Sequence, residues 1–381
     1  MTTFEQLGLS KSVTQALRIQ GIFDPYPVQE AAIPLIIKGH DVLGIAPTGS
    51  GKTAAFIAPI LEQRQHLNYK SSRSIPVLVL VPTRELAIQI EEFVTACLPT
   101  LRRDMRCMAV YGGVSINPQM KNMMGVEILI ATPGRLIDLL EHNALTINQI
   151  ETLIIDEADK MFQLGFEEEL HKILGLLPKN CQHILFSATL NDKIEEIKNT
   201  LKILPETVTI EPKEHSIASI EQIAYQVTAE NKGPFLRYLI KTENLKQVLL
   251  FVSSTRTADN LLIKLRKNGI TALALHSKKT QGARNEALQS FKAGKIEVLI
   301  ATDLLSRGIH IDELPVVINY ELPRSPLDYV HRIGRTGRAD AKGKAISLIT
   351  AEEEHHFKII QKKMKQTVTV TDTTNINLHG F

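Results

Sequence analysis

Long apolar runs are missing from this 381-residue sequence. No stretch approaches the roughly 20 consecutive apolar residues of a membrane-spanning helix, so a soluble protein is expected. Cysteine is scarce: Cys97, Cys107 and Cys181 are odd in number and lie far apart without CxxC spacing. That pattern excludes a disulfide framework or a cysteine-based zinc site and leaves three reduced thiols. An excess of one charge is also missing, with 44 Lys and Arg against 41 Asp and Glu, a net charge of +3. Bulk charge therefore recruits no polyanion, and any nucleic-acid site must be local. The opening residues, Met1-Thr2-Thr3-Phe4-Glu5-Gln6, contain no basic segment followed by an apolar one. No secretory signal is read there, and a cytoplasmic location is expected.

What is present is alternation. Short β-branched runs at Asp41–Ala46, Val77–Val81, Ile128–Ala131, Thr152–Ile155 and His183–Ser187 have the character of strands buried on both faces. Between them, Glu85–Leu101 places Leu86, Ile90, Phe93, Val94, Cys97, Leu98 and Leu101 at helical spacing. A second series follows a short polar stretch: Gln247–Val252, Thr271–Leu275, Glu297–Ala301, Val316–Tyr320 and Lys344–Ile349. Strand and helix alternating in this way predict an α/β protein with parallel sheets, and the length suits two tandem units. The expected boundaries are 1–210 for the first domain, 211–217 for a linker, 218–366 for the second domain and 367–381 for a short tail. A last helix is expected near Glu352–Lys365, with Phe357, Ile360 and Met364 on one face.

Two motifs carry chemistry without further context. Ala46-Pro-Thr48-Gly49-Ser50-Gly51-Lys52-Thr53 lies between an apolar run and a helical pattern. This is the setting of a phosphate-binding loop, whose glycines let backbone N–H groups converge on phosphate at a helix N-terminus. Lys52 would neutralise β- and γ-phosphates, and the Thr53 hydroxyl would hold Mg²⁺. The usual first glycine is Ala46 here. Asp156-Glu157-Ala158-Asp159 directly follows Leu153-Ile154-Ile155. Acids at the carboxyl end of a buried strand suit metal chemistry, with Asp156 as the Mg²⁺ partner and Glu157 positioning or deprotonating a water. Blander readings are a Gly/Ser turn for the first motif and a solvated helix start for the second.

With these residues in place, the sequence resembles the DEAD-box RNA helicases, superfamily 2 enzymes, in a minimal core of bacterial type. The resemblance spans about residues 4–365. It rests on the tetrapeptide at 156–159 and, in order, on Pro82-Thr-Arg-Glu-Leu-Ala87, Gly112-Gly113, Thr132-Pro-Gly-Arg135, Ser187-Ala-Thr189, Gln281-Gly-Ala-Arg284, Thr302-Asp303, Ser306-Arg-Gly308 and His331-Arg-Ile-Gly-Arg-Thr-Gly-Arg338. It implies two RecA-like domains, ATP and Mg²⁺ as cofactors, RNA as partner and RNA-stimulated ATP hydrolysis with local unwinding, by a chain expected to be monomeric. By the same resemblance Gln29 reads the adenine edge while Phe4 or Phe23 covers its face, and Arg335 and Arg338 are arginine fingers. The RNA backbone falls to Thr83, Arg84, Gly113, Thr132, Pro133, Gly134, Arg135, Gln281, Arg284, Thr302 and Asp303. Asp159, Ser187, Thr189 and His331 couple nucleotide state to strand separation.

Three departures from the family pattern stand out. Tyr26 and Val28 replace the usual Thr and Ile, Ser277 replaces the Gly after His276, and His310 replaces an Asp expected on the ATP ribose. Histidine cannot reproduce a carboxylate that accepts two hydroxyl bonds. Competing readings are a DNA helicase on the same plan, a nucleotide-gated RNA clamp or scaffold with slow turnover, and a phosphate-loop kinase, which leaves the second half unexplained.

Overall fold

The apolar runs become strands with alternate residues in different cores. The computed structural model describes residues 2–47, 49–67, 75–210, 220–302, 314–337 and 343–381, with the backbone alone for Leu327. In the first half the strands are β1 (Val42–Ile45), β2 (Val77–Leu80), β3 (Cys107–Val110), β4 (Ile128–Ala131), β5 (Thr152–Ile155), β6 (Gln182–Ser187) and β7 (Glu206–Thr209). All neighbours are parallel, in the order β3-β4-β2-β5-β6-β1-β7. Successive side chains of a strand point to opposite faces. Val77, Val79 and Val81 accordingly join one hydrophobic cluster, while Leu78 and Leu80 join another.

The second half holds β8 (Ile220–Gln226), β9 (Val248–Val252), β10 (Ala272–Leu275), β11 (Val298–Thr302), β12 (Val316–Asn319), β13 (Gly343–Ile349) and β14 (Thr369–Asp372). Its order, β10-β11-β9-β12-β13-β8-β14, repeats that of the first sheet when each is counted from its own first strand. Here too every pairing is parallel. The chain divides into two units, Met1–Pro212 and Lys213–Phe381. The expected linker, 211–217, lies outside the described residues.

Residues 367–381, read from sequence as a tail, belong to the second unit's fold. β14 pairs with β8, the Thr373 hydroxyl donates to the Gln226 carbonyl at 2.6 Å, and Ile376 and Leu378 pack on the core. The three cysteines are free, and burial pushes the thiols of Cys97 and Cys181 up to about 12. Among the described residues no helix is long and apolar enough to cross a membrane.

Candidate functional site

Parallel pairing puts the carboxyl ends of all strands on one edge of a sheet, and ligands of open α/β sheets bind along that edge. In the first unit Leu80 is level with Ala131 and Ile155, and Ile155 with Leu185. The segments that follow β1 to β6 therefore emerge side by side. They carry the phosphate loop, Thr83-Arg84, Gly112-Gly113, Thr132–Arg135, Asp156–Asp159 and Thr189 in turn.

After β1 the loop turns through Gly49 and Gly51, whose φ angles are +78° and +88°. Gly51 caps the helix Lys52–Arg64. A Cβ at Gly51 would lie 2.4 Å from Gln29 Nε2, so both backbone and space demand glycine. The Ser50 hydroxyl donates to the Pro47 carbonyl at 2.8 Å. Lys52 is buried, and its ammonium donates to the Ala46 carbonyl at 3.1 Å. Thr53 is half-buried on the first turn, and Thr48 lies outside the described residues.

Beside the loop, Asp156 and Glu157 are 3% and 6% exposed. Burial raises Asp156 to about 6 despite the opposing pull of Lys52. One Asp156 oxygen accepts the Glu157 N–H at 2.8 Å. Glu157 has left-handed backbone, φ 52° and ψ 45°, and caps the short helix Ala158–Gln163. A glutamate held there is strained. Its Oε1 accepts from Lys160 Nζ at 2.5 Å, and its Oε2 is buried without a partner. Asp159 Oδ2 accepts the Thr189 hydroxyl at 3.4 Å while Oδ1 has no partner. Ser187 donates to the Thr189 carbonyl rather than to Asp159.

The residues expected to read the base divide. Gln29 is fully buried, its amide oxygen accepting from Tyr26 N at 2.9 Å and its Nε2 donating to Gly51 O at 3.0 Å. It thus ties the helix Pro27–Ile37 to the phosphate loop. The Tyr26 N–H makes this bond whatever side chain stands at 26, so the missing threonine leaves it intact. Phe4 corrects the sequence reading: it is 1% exposed and packed in the first unit's core, with no ring face left for a base. Phe23, the other candidate, is 66% exposed.

Along the rest of this edge, Thr83 caps the helix Arg84–Cys97 by accepting from Leu86 N. The Arg84 guanidinium lies against Gly113, where a Cβ would come within 2.0 Å of it. Thr132 and Pro133 are buried and Gly134 is half-buried at the start of the helix Pro133–Glu141. Arg135 is buried as well: Nη2 donates to the Val114 carbonyl at 2.8 Å and Nε to Asp138 at 3.3 Å. Its bonds hold the Gly112–Val114 loop, which the motif spacing did not reveal.

In the second unit the same edge carries His276 after β10, Thr302 at the end of β11, and Gln281 and Arg284 on the helix Gln281–Lys292. His276 is buried against Asp259, which also accepts from Lys279. Arg284 is 4% exposed and donates to Gln281 Oε1 at 3.2 Å. His331 lies 4.0 Å from Asp328 on the helix Pro326–Ile333, with Arg335, 5% exposed, just beyond it. Arg332, between them, is an internal strut: it donates to Asn319 and the Glu321 carbonyl and lies over the Phe251 ring. Asp303, His310 and Arg338 fall outside the described residues.

A phosphate loop and an acidic pair on one parallel sheet, with a second sheet of the same order in tandem, define a nucleotide-dependent protein of two RecA-like domains. Residues 26–197 match the family model described as DEAD/DEAH box helicase, and residues 231–340 match Helicase conserved C-terminal domain. ATP-dependent RNA helicase CshA of Listeria monocytogenes is 36% identical over 96% of this chain and 69% of its own length. CshA of Geobacillus kaustophilus is 37% identical over 96% and 77%. Among solved structures, S. cerevisiae Dbp5 bound to RNA and ADP BeF3 aligns with a TM-score of 0.85 at 28% identity, covering 98% of this chain and 97% of that one. Mss116p bound to ssRNA and AMP-PNP gives 0.85 at 26% identity, covering 100% and 81%. The chain belongs to the DEAD-box family of ATP-dependent RNA helicases.

Proposed function

We propose that the chain is an RNA-stimulated ATPase that separates short RNA duplexes or remodels RNA–protein complexes locally, working as a cytoplasmic monomer. The observation that carries this reading is the pairing, on one sheet edge, of a phosphate loop whose lysine rests on an exchangeable carbonyl with two buried carboxylates that lack a full set of partners. Lys52 exchanges the Ala46 carbonyl for phosphate oxygens. Gln29, already bonded to Gly51, links recognition of the base to the loop, and Phe23 covers the base. Asp156 and Thr53 would supply hard oxygen donors of the kind that hold Mg²⁺. When bound, that ion would neutralise charge on the β- and γ-phosphates.

Glu157 accepts a proton from, or orients, the attacking water. Arg335 and Arg338 complete the site when the units close, since a guanidinium fork stabilises charge as the γ-phosphoryl leaves. Arg84, Gly113, Thr132, Pro133 and Gly134 in the first unit, and Gln281, Arg284, Thr302 and Asp303 in the second, hold successive phosphates and ribose 2′-hydroxyls, with Arg135 supporting from beneath. Such contacts read backbone rather than base sequence. Asp159, Ser187, Thr189 and His331 pass the nucleotide state to the RNA groove.

The test is ATP hydrolysis with matched RNA and DNA strands. RNA stimulation that Lys52→Ala and Glu157→Gln abolish is expected, with Arg335→Ala retaining ATP affinity but losing turnover. Equal stimulation by DNA would favour the DNA-translocase reading, and a full-rate Arg335→Ala enzyme would remove the finger assignment.

A further inference from the structure

Lys160, one turn beyond Glu157, belongs to none of the motifs that drew attention to this site. Its ammonium is 2.5 Å from Glu157 Oε1, and both side chains are buried, at 7% and 8% exposure. A carboxylate taken out of water needs a compensating charge, and Lys160 supplies one at i+3, the spacing that brings helix neighbours together. The pair is lopsided. Lys160 engages one oxygen, while Oε2 is just as buried and has no partner. Unsatisfied buried acceptors are rare in folded proteins and call for an explanation. The backbone under Glu157 is constrained too, being a left-handed residue with Asp156 bonded to its N–H. The carboxylate is therefore fixed at its root by the turn and at one oxygen by the lysine.

We propose that Lys160 is a positioning residue for ATP hydrolysis: by pinning Glu157 Oε1 it presents Oε2 as the acceptor for the attacking water. The inference rests on the assignment of Glu157 to the water. It adds a residue outside the motifs assigned to nucleotide and RNA. Orientation of a catalytic group matters because small displacements of a reacting atom cost large factors in rate. Lys160 thus acts on turnover rather than on ATP affinity. Arginine in its place can hold a carboxylate oxygen, whereas methionine fills the space without a donor.

The experiment uses the full chain with saturating RNA, following steady-state and single-turnover ATP hydrolysis, ATP affinity and the melting temperature. Lys160→Met is expected to lower kcat roughly 10- to 100-fold while leaving KM for ATP unchanged, the size of effect that mispositioning produces. Lys160→Arg should restore most of the rate and Lys160→Gln should fall between, which also serves if the methionine variant does not fold. In a Glu157→Gln background, Lys160→Met should cause no further loss, since the two act through one group.

The inference is overturned if Lys160→Met or Lys160→Gln keeps or raises kcat. A rise would mark the lysine as a restraint on Glu157 rather than a guide. It is also overturned if KM moves instead of kcat, or if the loss in the Glu157→Gln background equals that in the native one. Should Glu157→Gln itself hydrolyse ATP at nearly the native rate, the assignment of Glu157 fails first. Loss in Glu157→Gln with an unaffected Lys160→Met fails the positioning role alone.

Discussion

The two sheets share a strand order and differ in what stands at equivalent strand ends. After β1, Lys52 opens the next helix with its ammonium on a neutral carbonyl, that of Ala46. After β8, the corresponding strand, Lys232 opens the next helix and is equally buried at 7%. Its ammonium, however, sits on the Glu353 carboxylate at 2.9 Å and over the Tyr320 ring at 5.6 Å. β5 is followed by Asp156–Asp159, in which Glu157 and Asp159 each keep one buried oxygen without a partner. β12 is followed by Tyr320 and Glu321, whose carboxylate accepts from Ser253 N at 2.5 Å and from the Thr257 hydroxyl at 3.4 Å. Fold and even residue type repeat, yet at these equivalent strand ends the first unit's lysine rests on a neutral carbonyl and the second unit's on a carboxylate. Function here lies in how the strand ends are satisfied, not in the sheet.

The largest effect that sharpens this contrast is on turnover. Glu157→Gln should lower RNA-stimulated hydrolysis by roughly 10²–10⁴-fold, the range for a group that handles a proton. Lys52→Ala should remove ATP affinity as well, whereas Lys232→Ala should leave it unchanged. Titrating a fluorescent ATP analogue separates them, and weakened binding in Lys232→Ala would break the comparison.

Next comes stability at the opposite edge of the first sheet. Glu127, 3% exposed, accepts from Arg103 at 2.8 and 2.5 Å and from Arg64 at 3.4 Å. Arg64 also reaches Glu151 at 2.7 Å, so the end of the Lys52–Arg64 helix is stapled to the starts of β4 and β5. Glu127→Ala takes from the buried Arg64 and the partly buried Arg103 the carboxylate they share, leaving Arg64 to Glu151, and should cost about 3 kcal/mol. Glu353→Ala in the second unit should cost about 1–3 kcal/mol, since Glu353 is more exposed. Hydrogen exchange of β4 and β5 amides against those of β8 and β13 reads the two losses separately.

A smaller effect follows from Asp156. Its pKa is raised on folding, so its favourable contribution is fully present below the unfolded value of 3.8 and is lost as pH rises through about 6. At neutral pH the ionised group therefore opposes folding of the nucleotide-free chain. Asp156→Asn should raise stability there by about 1–3 kcal/mol and should give no gain near pH 4. Melting temperature across that pH range checks it. A variant less stable at neutral pH would show that Lys52 and the Glu157 N–H outweigh burial.

Strand visibility in the sequence follows burial. β2, β4 and β5 are buried at every residue and stood out as apolar runs. β7 and β14, at sheet edges, bury one residue and none, and left no pattern to read. β3, the other edge of the first sheet, buries only its last two residues and was missed as well, and so was β8, where exposed Glu221 and half-exposed Gln222 interrupt Ile220, Ile223 and Ala224. Among site residues, the phosphate loop and the acidic pair were legible because their spacing is local. Phe4 in the core, Arg135 on Val114, and Arg332 under Asn319 were not, because each depends on a partner that spacing does not identify. Lys160 could have been found by pairing acids and bases at i+3 within the acidic motif.

The smallest effect concerns the carbonyl at the end of β8. In the first sheet the equivalent group, Ile45 O, accepts the backbone N–H of Ile210 at 2.8 Å. In the second, Gln226 O accepts the hydroxyl of Thr373, supplied by the segment read from sequence as a tail. Thr373 is 9% exposed, so valine fits its volume but leaves that acceptor short of a donor. Thr373→Val should cost about 1 kcal/mol. The loss should appear as faster exchange at β8 and β14 with ATP affinity intact. If affinity fell instead, the end of β8 would be sensed by the nucleotide site, and the division of labour between the two sheets would be weaker than their strand ends imply.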